Sequence, residues 1–230
     1  MNITAVLCWY NEPPEFLGRC VRSLAGICDR LVALDGAWQP YPDASAHSPK
    51  EQHQALLVAA GDAGLVTYAR PGSLWESQIV KRDYAMALAV GSGADWIIVI
   101  DGDEYVAPLD LTVAERRLKR MQIEDALAHT DLLVAETTLR NVTGDDHRGV
   151  DQRWRRLFRA APTLGVSGSH QGYTIPPHHL HGDTRDGLTL APAADLTSLL
   201  TIEHTPRSRG TERNAAARAY RHARARIGER

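Results

Sequence analysis

The chain has 230 residues with a formal net charge of −2 at pH 7; 43% of its residues are hydrophobic and 23% are charged. This composition is typical of a globular protein that buries its core without disulfides or metals, and it excludes a generally basic nucleic-acid coat and an acidic disordered chain. The charge is unevenly spread, because residues 205–230 contain eight Arg and two Glu. We therefore expect an acidic body followed by a basic C-terminal segment.

The first hundred residues alternate short apolar strands with helices. The predicted strands are Ile3–Trp9, Arg30–Leu34, Leu65–Ala69 and Trp96–Ile100. One predicted helix has Pro14 in its first turn, and two more cover Lys50–Ala60 and Glu76–Val90. Such alternation predicts a parallel sheet with right-handed crossovers. Because Trp96–Ile100 is apolar throughout, we predict a central strand that is covered on both faces.

The second half of the chain has a less regular pattern. The predicted elements are a helix over Val113–Ala128, strands over Leu132–Leu139, Arg153–Phe158 and Leu199–Ile202, and a helix over Thr211–Ile227. No internal repeat or low-complexity linker separates the two halves. We therefore predict a single domain over 1–230, with a first half (1–106), a second half (107–204) and a basic C-terminal helix (205–230).

Signals for membranes and secretion are weak in this sequence. The apolar runs are much shorter than the roughly 20 residues that span a bilayer, and no basic region precedes the first apolar segment. Cys8, Cys20 and Cys28 form no Cys-x-x-Cys motif, so we predict reduced, buried thiols. We expect a cytoplasmic protein with no transmembrane segment and no nucleic-acid partner, and the oligomeric state stays open.

Polar residues follow three of the predicted parallel strands: Asn11-Glu12, Asp35 and Asp101-Gly102-Asp103-Glu104. Ligands of such sheets bind at the carboxyl ends of the strands. The last group places three carboxylates within four residues, and these repel one another unless a cation compensates. A hard divalent cation would do so, whereas the alternative is a solvated acidic turn. The shared edge favours a functional site.

These residues and their surroundings resemble the GT-A glycosyltransferases, especially family 2. The resemblance lies in Lys81–Ala85 with Ala94–Glu104, which is similar to the D-x-D region of that family, in Cys8–Glu12, and in Asp35-Gly36. Three later groups follow in the family's order: Arg156–Arg159, Gly168–His170 and Ile202–His204. The ordered set covers about residues 3–213 and is more specific than any one motif.

The resemblance implies a Rossmann-like GT-A fold: a mostly parallel central sheet flanked by helices, a smaller acceptor-side β region and a C-terminal helix. The nucleotide would bind to residues 1–106 and the acceptor to residues 107–204. It also implies a hexosyltransferase-type enzyme that takes a nucleotide-diphosphate sugar, first of all a UDP-sugar, with Mn²⁺ or Mg²⁺. The acceptor stays open among a protein, a glycan, a lipid and a small molecule.

The same resemblance assigns roles to individual residues. Asp101, Asp103 and His204 would hold the metal. The expected donor-binding residues are Tyr10, Asn11, Glu12, Asp35, Lys81, Arg82, Asp101, Gly102, Arg207, Arg209 and Arg213. Guanidinium groups suit a diphosphate because they bind it with bidentate geometry.

The catalytic base is not settled by the sequence. Relatives often have a carboxylate after the histidine that corresponds to His170, but here Gln171 follows, and an amide is not a base. The candidate catalytic residues are His170, Asp183 and Glu76, with Asp145 and Asp146 as further candidates for the base. Inverting and retaining transfer therefore both stay open.

Two other functions compete with this interpretation. A nucleotidyltransferase-like enzyme typically has a glycine-rich phosphate loop after its first strand, whereas this chain has Asn11-Glu12-Pro13-Pro14. A catalytically inactive binding protein of the same fold would explain the missing base. The presence of both Asp101 and Asp103 favours the enzyme.

Overall fold

The computed structural model describes residues 1–39, 41, 44–70, 72–142, 149–166, 172–176, 178–181 and 191–205, and the structural statements below concern these residues. Four strands of the first half form a parallel sheet in the order β3-β2-β1-β4. These strands are β1 (Ile3–Cys8), β2 (Arg30–Leu34), β3 (Val66–Arg70) and β4 (Trp96–Ile100). The helices between them are α1 (Pro14–Ser23), α2 (Lys50–Asp62) and α3 (Gln78–Gly91). The predicted alternation is therefore observed.

Local sequence explains where these helices begin. Pro14 lies in the first turn of α1, where its missing N–H costs no hydrogen bond. The side chain of Ser77 caps α3 by accepting a hydrogen bond from the backbone N–H of Val80 at 3.1 Å. Because this cap fixes the start of α3 at Gln78, Glu76 lies before the helix. The sequence had predicted a helix that begins at Glu76, two residues too early.

The second half extends the same sheet. Its strands β5 (Glu104–Ala107), β6 (Val134–Val142), β7 (Gly149–Arg159) and β12 (Thr201–His204) continue it in the order β4-β7-β6-β12-β5, and β11 (Ala194–Asp195) pairs with β6. Strand β7 is antiparallel to both β4 and β6, whereas β6 and β12 are parallel. Helix α4 (Val113–Ala128) follows β5 and begins with a capping box formed by Thr112 and Glu115. Both halves thus contribute to one nine-stranded sheet.

A second, three-stranded sheet lies beside the main one. It consists of β8 (Gly165–Val166), β9 (Tyr173–Ile175) and β10 (His178–His181). This sheet is the smaller β region that was expected in the second half. The architecture confirms the predicted α/β class with a mostly parallel central sheet flanked by helices. The predicted C-terminal helix over Thr211–Ile227 lies outside the described residues.

The core is divided between the two faces of the large sheet. On one face, Leu17, Leu31 and Ile123 belong to one buried cluster, and on the other Met86 and Phe158 belong to a second. All five residues of β4 are buried, which confirms the predicted central strand. None of the helices in the described residues is long and apolar enough to cross a membrane.

Candidate functional site

The acidic turn between β4 and β5 lies at the carboxyl end of the parallel strands. It is closed by a hydrogen bond from the backbone N–H of Glu104 to the carbonyl of Asp101 at 3.0 Å. The loop after β1 packs directly on this turn: a Cβ built on Gly102 would lie 2.7 Å from Cγ of Glu12. The close approach therefore requires glycine at position 102 or a shift of the Glu12 side chain.

Arg82, from α3, neutralises the first carboxylate of the turn. Its Nη2 donates to Oδ1 of Asp101, and its Nη1 lies 3.4 Å from the hydroxyl of Tyr173 on the small sheet. Arg82 is only 3% exposed. Burial alone would lower the pKa of its guanidinium, but the nearby Asp101 raises that pKa well above its usual value. Arg82 is thus a permanent cation beside Asp101.

Glu104 is paired with Arg156, which lies at a bulge in β7. The register of β6 with β7 passes from Leu157 to Arg155, so Arg156 is the extra residue. Its Nη2 donates to Oε1 of Glu104, and Oε2 of Glu104 accepts the backbone N–H of Asp101 at 2.9 Å. Burial, opposed by Arg156 and reinforced by Asp101, raises the pKa of Glu104 to about 7. The bulge therefore directs a cation under the acidic turn.

The third carboxylate, Asp103, meets a histidine that is a hundred residues away in the sequence. Nε2 of His204 lies 3.3 Å from Oδ2 of Asp103, and Nδ1 lies 2.8 Å from Oδ1 of Asn141. The register brings them together, because His204 is opposite Glu104 on β5 and beside Asn141 on β6. Thr205 also donates its backbone N–H to the carbonyl of Asp103 at 3.0 Å. Asp103 itself is 1% exposed.

The buried thiol of Cys20 shows how closely these acids are grouped. Its pKa is raised well above the usual value, first by burial and then by four carboxylates. In decreasing order of effect these are Glu104, Asp103, Asp101 and Glu12. Among the described residues, Asp35 also lies at this edge, together with the cations Lys81, Arg82 and Arg156. This edge is therefore rich in carboxylates.

Lys81 joins the ends of β1 and β2. Its Nζ donates to the carbonyl oxygens of Trp9 and Gly36, each at 2.6 Å, and the residue is 0% exposed. Burial is the main cause that lowers the pKa of Lys81 to about 8. Because the ammonium is enclosed, Lys81 acts on this edge through its hydrogen bonds to the loops and through its charge.

Asp35, at the end of β2, has protein partners on both carboxylate oxygens. Oδ2 accepts the backbone N–H of Ser48 at 2.7 Å and lies 2.8 Å from Nε2 of His53, while Oδ1 accepts from the Ser48 hydroxyl. The indole N–H of Trp75 donates to the carbonyl of Asp35 at 2.8 Å. The side chain is fully enclosed. In this structure Asp35 therefore fixes the segment that leads into α2, and its predicted contact with a nucleotide stays a prediction.

The loop after β1 is tied to the same segment. Asn11 donates its backbone N–H to Oγ of Ser48 at 2.9 Å, and its Oδ1 accepts from Nε2 of Gln52 at 3.1 Å. Its φ of 51° lies in the left-handed region, which Asn tolerates better than most residues. The hydroxyl of Tyr10 accepts the backbone N–H of Ser45 at 3.0 Å. Asn11 is exposed and Tyr10 is half-buried, so both lie at the rim of this edge.

The structure thus brings together most of the predicted site residues that it describes. Gly102 lies against Glu12 and Asp103 lies against His204 in the same acidic turn as Asp101, whereas Glu76 is exposed. The predicted residues outside the described part of the chain are Asp145, Asp146, His170, Asp183, Arg207, Arg209 and Arg213. The roles of all these residues toward a ligand stay predictions.

Sequence reasoning missed Asn141, Arg156, Ser48 and His53 as members of this edge. Arg156 was noted only as part of a motif, and no local signal identifies the others. Strand register and loop packing place them.

The side chains of this edge include groups that can bind a divalent cation, but they supply only part of its coordination shell. Among the described residues, no group of three or more His, Cys, Asp and Glu side chains is arranged to hold a metal. Asp103 and His204 form a two-residue set of carboxylate oxygen and imidazole nitrogen, which Mn²⁺ accepts. Since Asp101 is paired with Arg82, the remaining ligands would come from elsewhere, as is common for ions bound through phosphates.

Comparison with known proteins gives a similarity of structure only. No protein-family model matches the chain, and no curated protein does. The chain is similar to S. aureus TarS (residues 1–349), with 16% identity over 66% of this chain and 39% of that chain and a TM-score of 0.46. It therefore spans about two fifths of that relative.

Two further structures are similar at the same level. HddC from Yersinia pseudotuberculosis is 12% identical over 95% of this chain and 99% of that one, with a TM-score of 0.42. Mannose-1-phosphate geranyltransferase from Thermus thermophilus is 15% identical over 61% and 42%, with a TM-score of 0.36. Similarities this low identify neither a family nor an activity.

Proposed function

We propose that this chain is a glycosyltransferase of the GT-A type, which transfers a sugar from a nucleotide-diphosphate sugar to an acceptor. The observation that carries the proposal is the meeting of Asp103 with His204 at the carboxyl end of the sheet. Two potential metal ligands from distant parts of the sequence converge there, beside the carboxylates of Glu12, Asp101 and Glu104. A binding edge of this kind is where α/β sheets place their ligands.

An anionic donor at this carboxylate-rich edge is best bound together with a cation. Carboxylates repel a diphosphate, and a divalent cation on Asp103 and His204 would bring the two together. When bound, such an ion supplies positive charge that stabilises the diphosphate as the sugar leaves it. We propose Mn²⁺ first, because it accepts both oxygen and nitrogen ligands.

The chain's own residues would prepare the edge for this donor. Arg82 and Arg156 neutralise Asp101 and Glu104 and hold the acidic turn in place. Lys81 fixes the carbonyls of Trp9 and Gly36 and adds an enclosed positive charge behind the loops. Glu12 lies against the turn and narrows the edge beside Gly102. No described residue is assigned as the base, so the stereochemistry of transfer stays open.

A donor screen tests the proposal. The purified chain is incubated with UDP-, GDP- and dTDP-sugars, in Mn²⁺ or in EDTA, and followed by thermal shift and by release of nucleoside diphosphate. We expect one nucleotide class, UDP first, to stabilise the protein in Mn²⁺ and not in EDTA. Asp103→Asn should abolish this response, whereas the control Asp125→Asn, at an exposed helix position, should not.

Three results would contradict the proposal. If no nucleotide sugar stabilises the chain in either condition, the donor assignment is wrong. If instead a nucleoside triphosphate and a sugar phosphate yield pyrophosphate, the enzyme is a nucleotidyltransferase. A donor that binds without turnover in the presence of many acceptors would support the inactive binding protein.

A further inference from the structure

An open cavity of about 510 Å³ lies between the ends of α1 and α2 and the beginning of α4. A volume of this size is typical of small-molecule sites. Helix α1 ends at Ser23, before the amino end of β2, and α2 ends at Asp62, before the amino end of β3. The acidic turn lies at the carboxyl end of the same parallel strands, so the cavity is at the opposite end of the sheet from the candidate functional site.

Three arginines line this cavity: Arg19 and Arg22 on α1, and Arg116 in the first turn of α4. Arg19 and Arg22 are three residues apart and therefore lie on the same side of α1. In the part of the chain that the structure describes, none of the three forms an ion pair with a carboxylate, and Asp62 is the one acid among the described lining residues. Because like charges repel, an anion among these arginines would stabilise the arrangement.

Arg116 is buried, and no carboxylate among the described residues lies within ion-pair distance of it. It is only 5% exposed, and its guanidinium donates hydrogen bonds to backbone carbonyls, among them those of Ser23 and Leu109, each at 2.8 Å. These carbonyls hold the side chain in place, but they are neutral. Burial lowers the pKa of Arg116, and Asp110 opposes this effect only in part. Since buried charges in proteins are usually paired, an anion in the cavity is the expected partner.

The two arginines of α1 contribute in different ways. Arg19 donates from Nη2 to the hydroxyl of Thr205 at 3.0 Å, while its Nε is buried and has no hydrogen-bond partner among the described residues. A buried donor of this kind calls for an acceptor that the protein itself does not supply. Arg22 is exposed, and a Cβ on Gly18 would lie 3.1 Å from its Nη2. Arg22 is therefore free to approach a ligand from solvent.

We propose that this cavity binds the phosphate group of an organic phosphate, at a site separate from the acidic turn. Guanidinium groups bind phosphate oxygens through bidentate, charge-assisted hydrogen bonds. The side chains of Ala25, Leu109 and Val113 also line the cavity and would contact the carbon part of such a ligand. A soluble phosphate ester and a lipid headgroup offer this same chemistry. The inference does not depend on the proposed function.

Titration of the full chain with inorganic phosphate tests the site. Isothermal titration calorimetry is carried out at low ionic strength and in EDTA, so that no metal holds phosphate at the acidic turn. We expect Arg22→Gln to bind about tenfold more weakly than the wild type, because a charged hydrogen-bond donor is lost. Asp62→Asn should bind at least about twofold more tightly, because it removes a charge that repels the anion. Thermal unfolding of each variant shows whether the chain is folded.

Arg117→Gln is the matched control for Arg22→Gln. Arg117 is an exposed arginine of α4 that does not line the cavity, so its loss changes the net charge equally. This variant should keep the wild-type affinity for phosphate.

Two further measurements distinguish the sources of the phosphate. If the ligand is a soluble ester, glycerol phosphate should bind more tightly than inorganic phosphate. If it is a lipid, the chain should sediment with phosphatidylcholine vesicles that contain phosphatidic acid and not with vesicles that lack it. The basic segment 205–230 attracts anionic vesicles in every variant, so the lipid source also requires that Arg22→Gln sediments less than Arg117→Gln.

The inference is overturned if the wild type binds neither inorganic phosphate nor the phosphatidic acid vesicles. It is also overturned if Arg22→Gln and Arg117→Gln change the affinity equally, since binding would then be a general attraction to positive charge. A failed donor screen would overturn the proposed function and leave this site untouched.

Discussion

The ends of β2 and β4 both carry aspartates, and the fold surrounds them differently. At β2, both oxygens of Asp35 have backbone or side-chain partners within the first half, from Ser48 and His53. At β4, the turn places Asp103 against His204, from the far end of the described chain, in a group that also contains Glu12, Asp101 and Glu104. The comparison teaches that one residue type at two strand ends can hold neighbouring loops in place at one end and meet a second potential ligand at the other. We call the surroundings of Asp35 the frame and those of Asp103 the site, and the predicted contact of Asp35 with a nucleotide stays a prediction.

Among the variants considered, we expect Arg156→Met to lower the free energy of unfolding most. Removal of the guanidinium leaves Glu104 buried without its cation, and breaking such a buried pair costs about 3–5 kcal/mol. Because the pKa of Glu104 is already raised to about 7, protonation relieves part of this cost at acidic pH. Urea denaturation should thus show a larger loss at pH 8 than at pH 6. A loss that is the same at both pH values would contradict the assigned charge of Glu104.

A matched pair of glycine substitutions compares the two ends directly. A Cβ on Gly72 would overlap the backbone carbonyl of Ala46 beside Asp35, whereas a Cβ on Gly102 meets the flexible side chain of Glu12. We expect Gly72→Ala to cost about 1–3 kcal/mol, the usual range for overpacking, and Gly102→Ala to cost less. Gly102→Ala should instead weaken the Mn²⁺ response, measured by thermal shift. If Gly102→Ala lost more stability than Gly72→Ala, the distinction between frame and site would be contradicted.

Lys81→Met gives a smaller effect whose sign depends on pH. The folded protein lowers the pKa of Lys81 from its usual 10.5 to about 8, so between these values the unfolded chain binds more protons. The contribution of Lys81 to the free energy of unfolding should therefore rise with pH across this window. Urea denaturation at a series of pH values measures the free energy of unfolding of the wild type and of Lys81→Met. If the wild type becomes less stable relative to Lys81→Met as the pH rises, the lowered pKa of the buried Lys81 is wrong.

The sequence predicted the regular part of this molecule well, for a physical reason. Apolar runs such as Trp96–Ile100 identify buried strands, and β2 and α4 were predicted with the bounds that the structure has. Strand β5 was missed because it begins at Glu104, within the acidic group Asp101–Glu104, and the sequence there was interpreted as the site alone. Local pattern thus determined the elements but not the pairing that closes the second half.

The sequence identified the carboxylates of the candidate site, but it did not identify the residues that contact them. Asp101, Asp103 and His204 stand out by residue type, and each lies next to a strand end. The role of Arg156 depends on a bulge in β7, and that of Asn141 depends on the register between β6 and β12. Neither a bulge nor a register is encoded in local residue patterns. The sequence gives no indication that Ser48 and His53 reach the carboxylate of Asp35, and the predicted contact of Asp35 with a donor stays a prediction.

The most direct test of the distinction between frame and site is the Mn²⁺ affinity of Asp103→Asn and Asp35→Asn, measured side by side by electron paramagnetic resonance. We predict that Asp103→Asn weakens Mn²⁺ binding at least about tenfold, because it removes an anionic ligand. Asp35→Asn should keep the wild-type affinity and lose about 1–3 kcal/mol of stability, because its buried hydrogen bonds are no longer all satisfied. An Asp103→Asn variant that binds Mn²⁺ like the wild type, or an equal loss of affinity in both variants, would contradict the account.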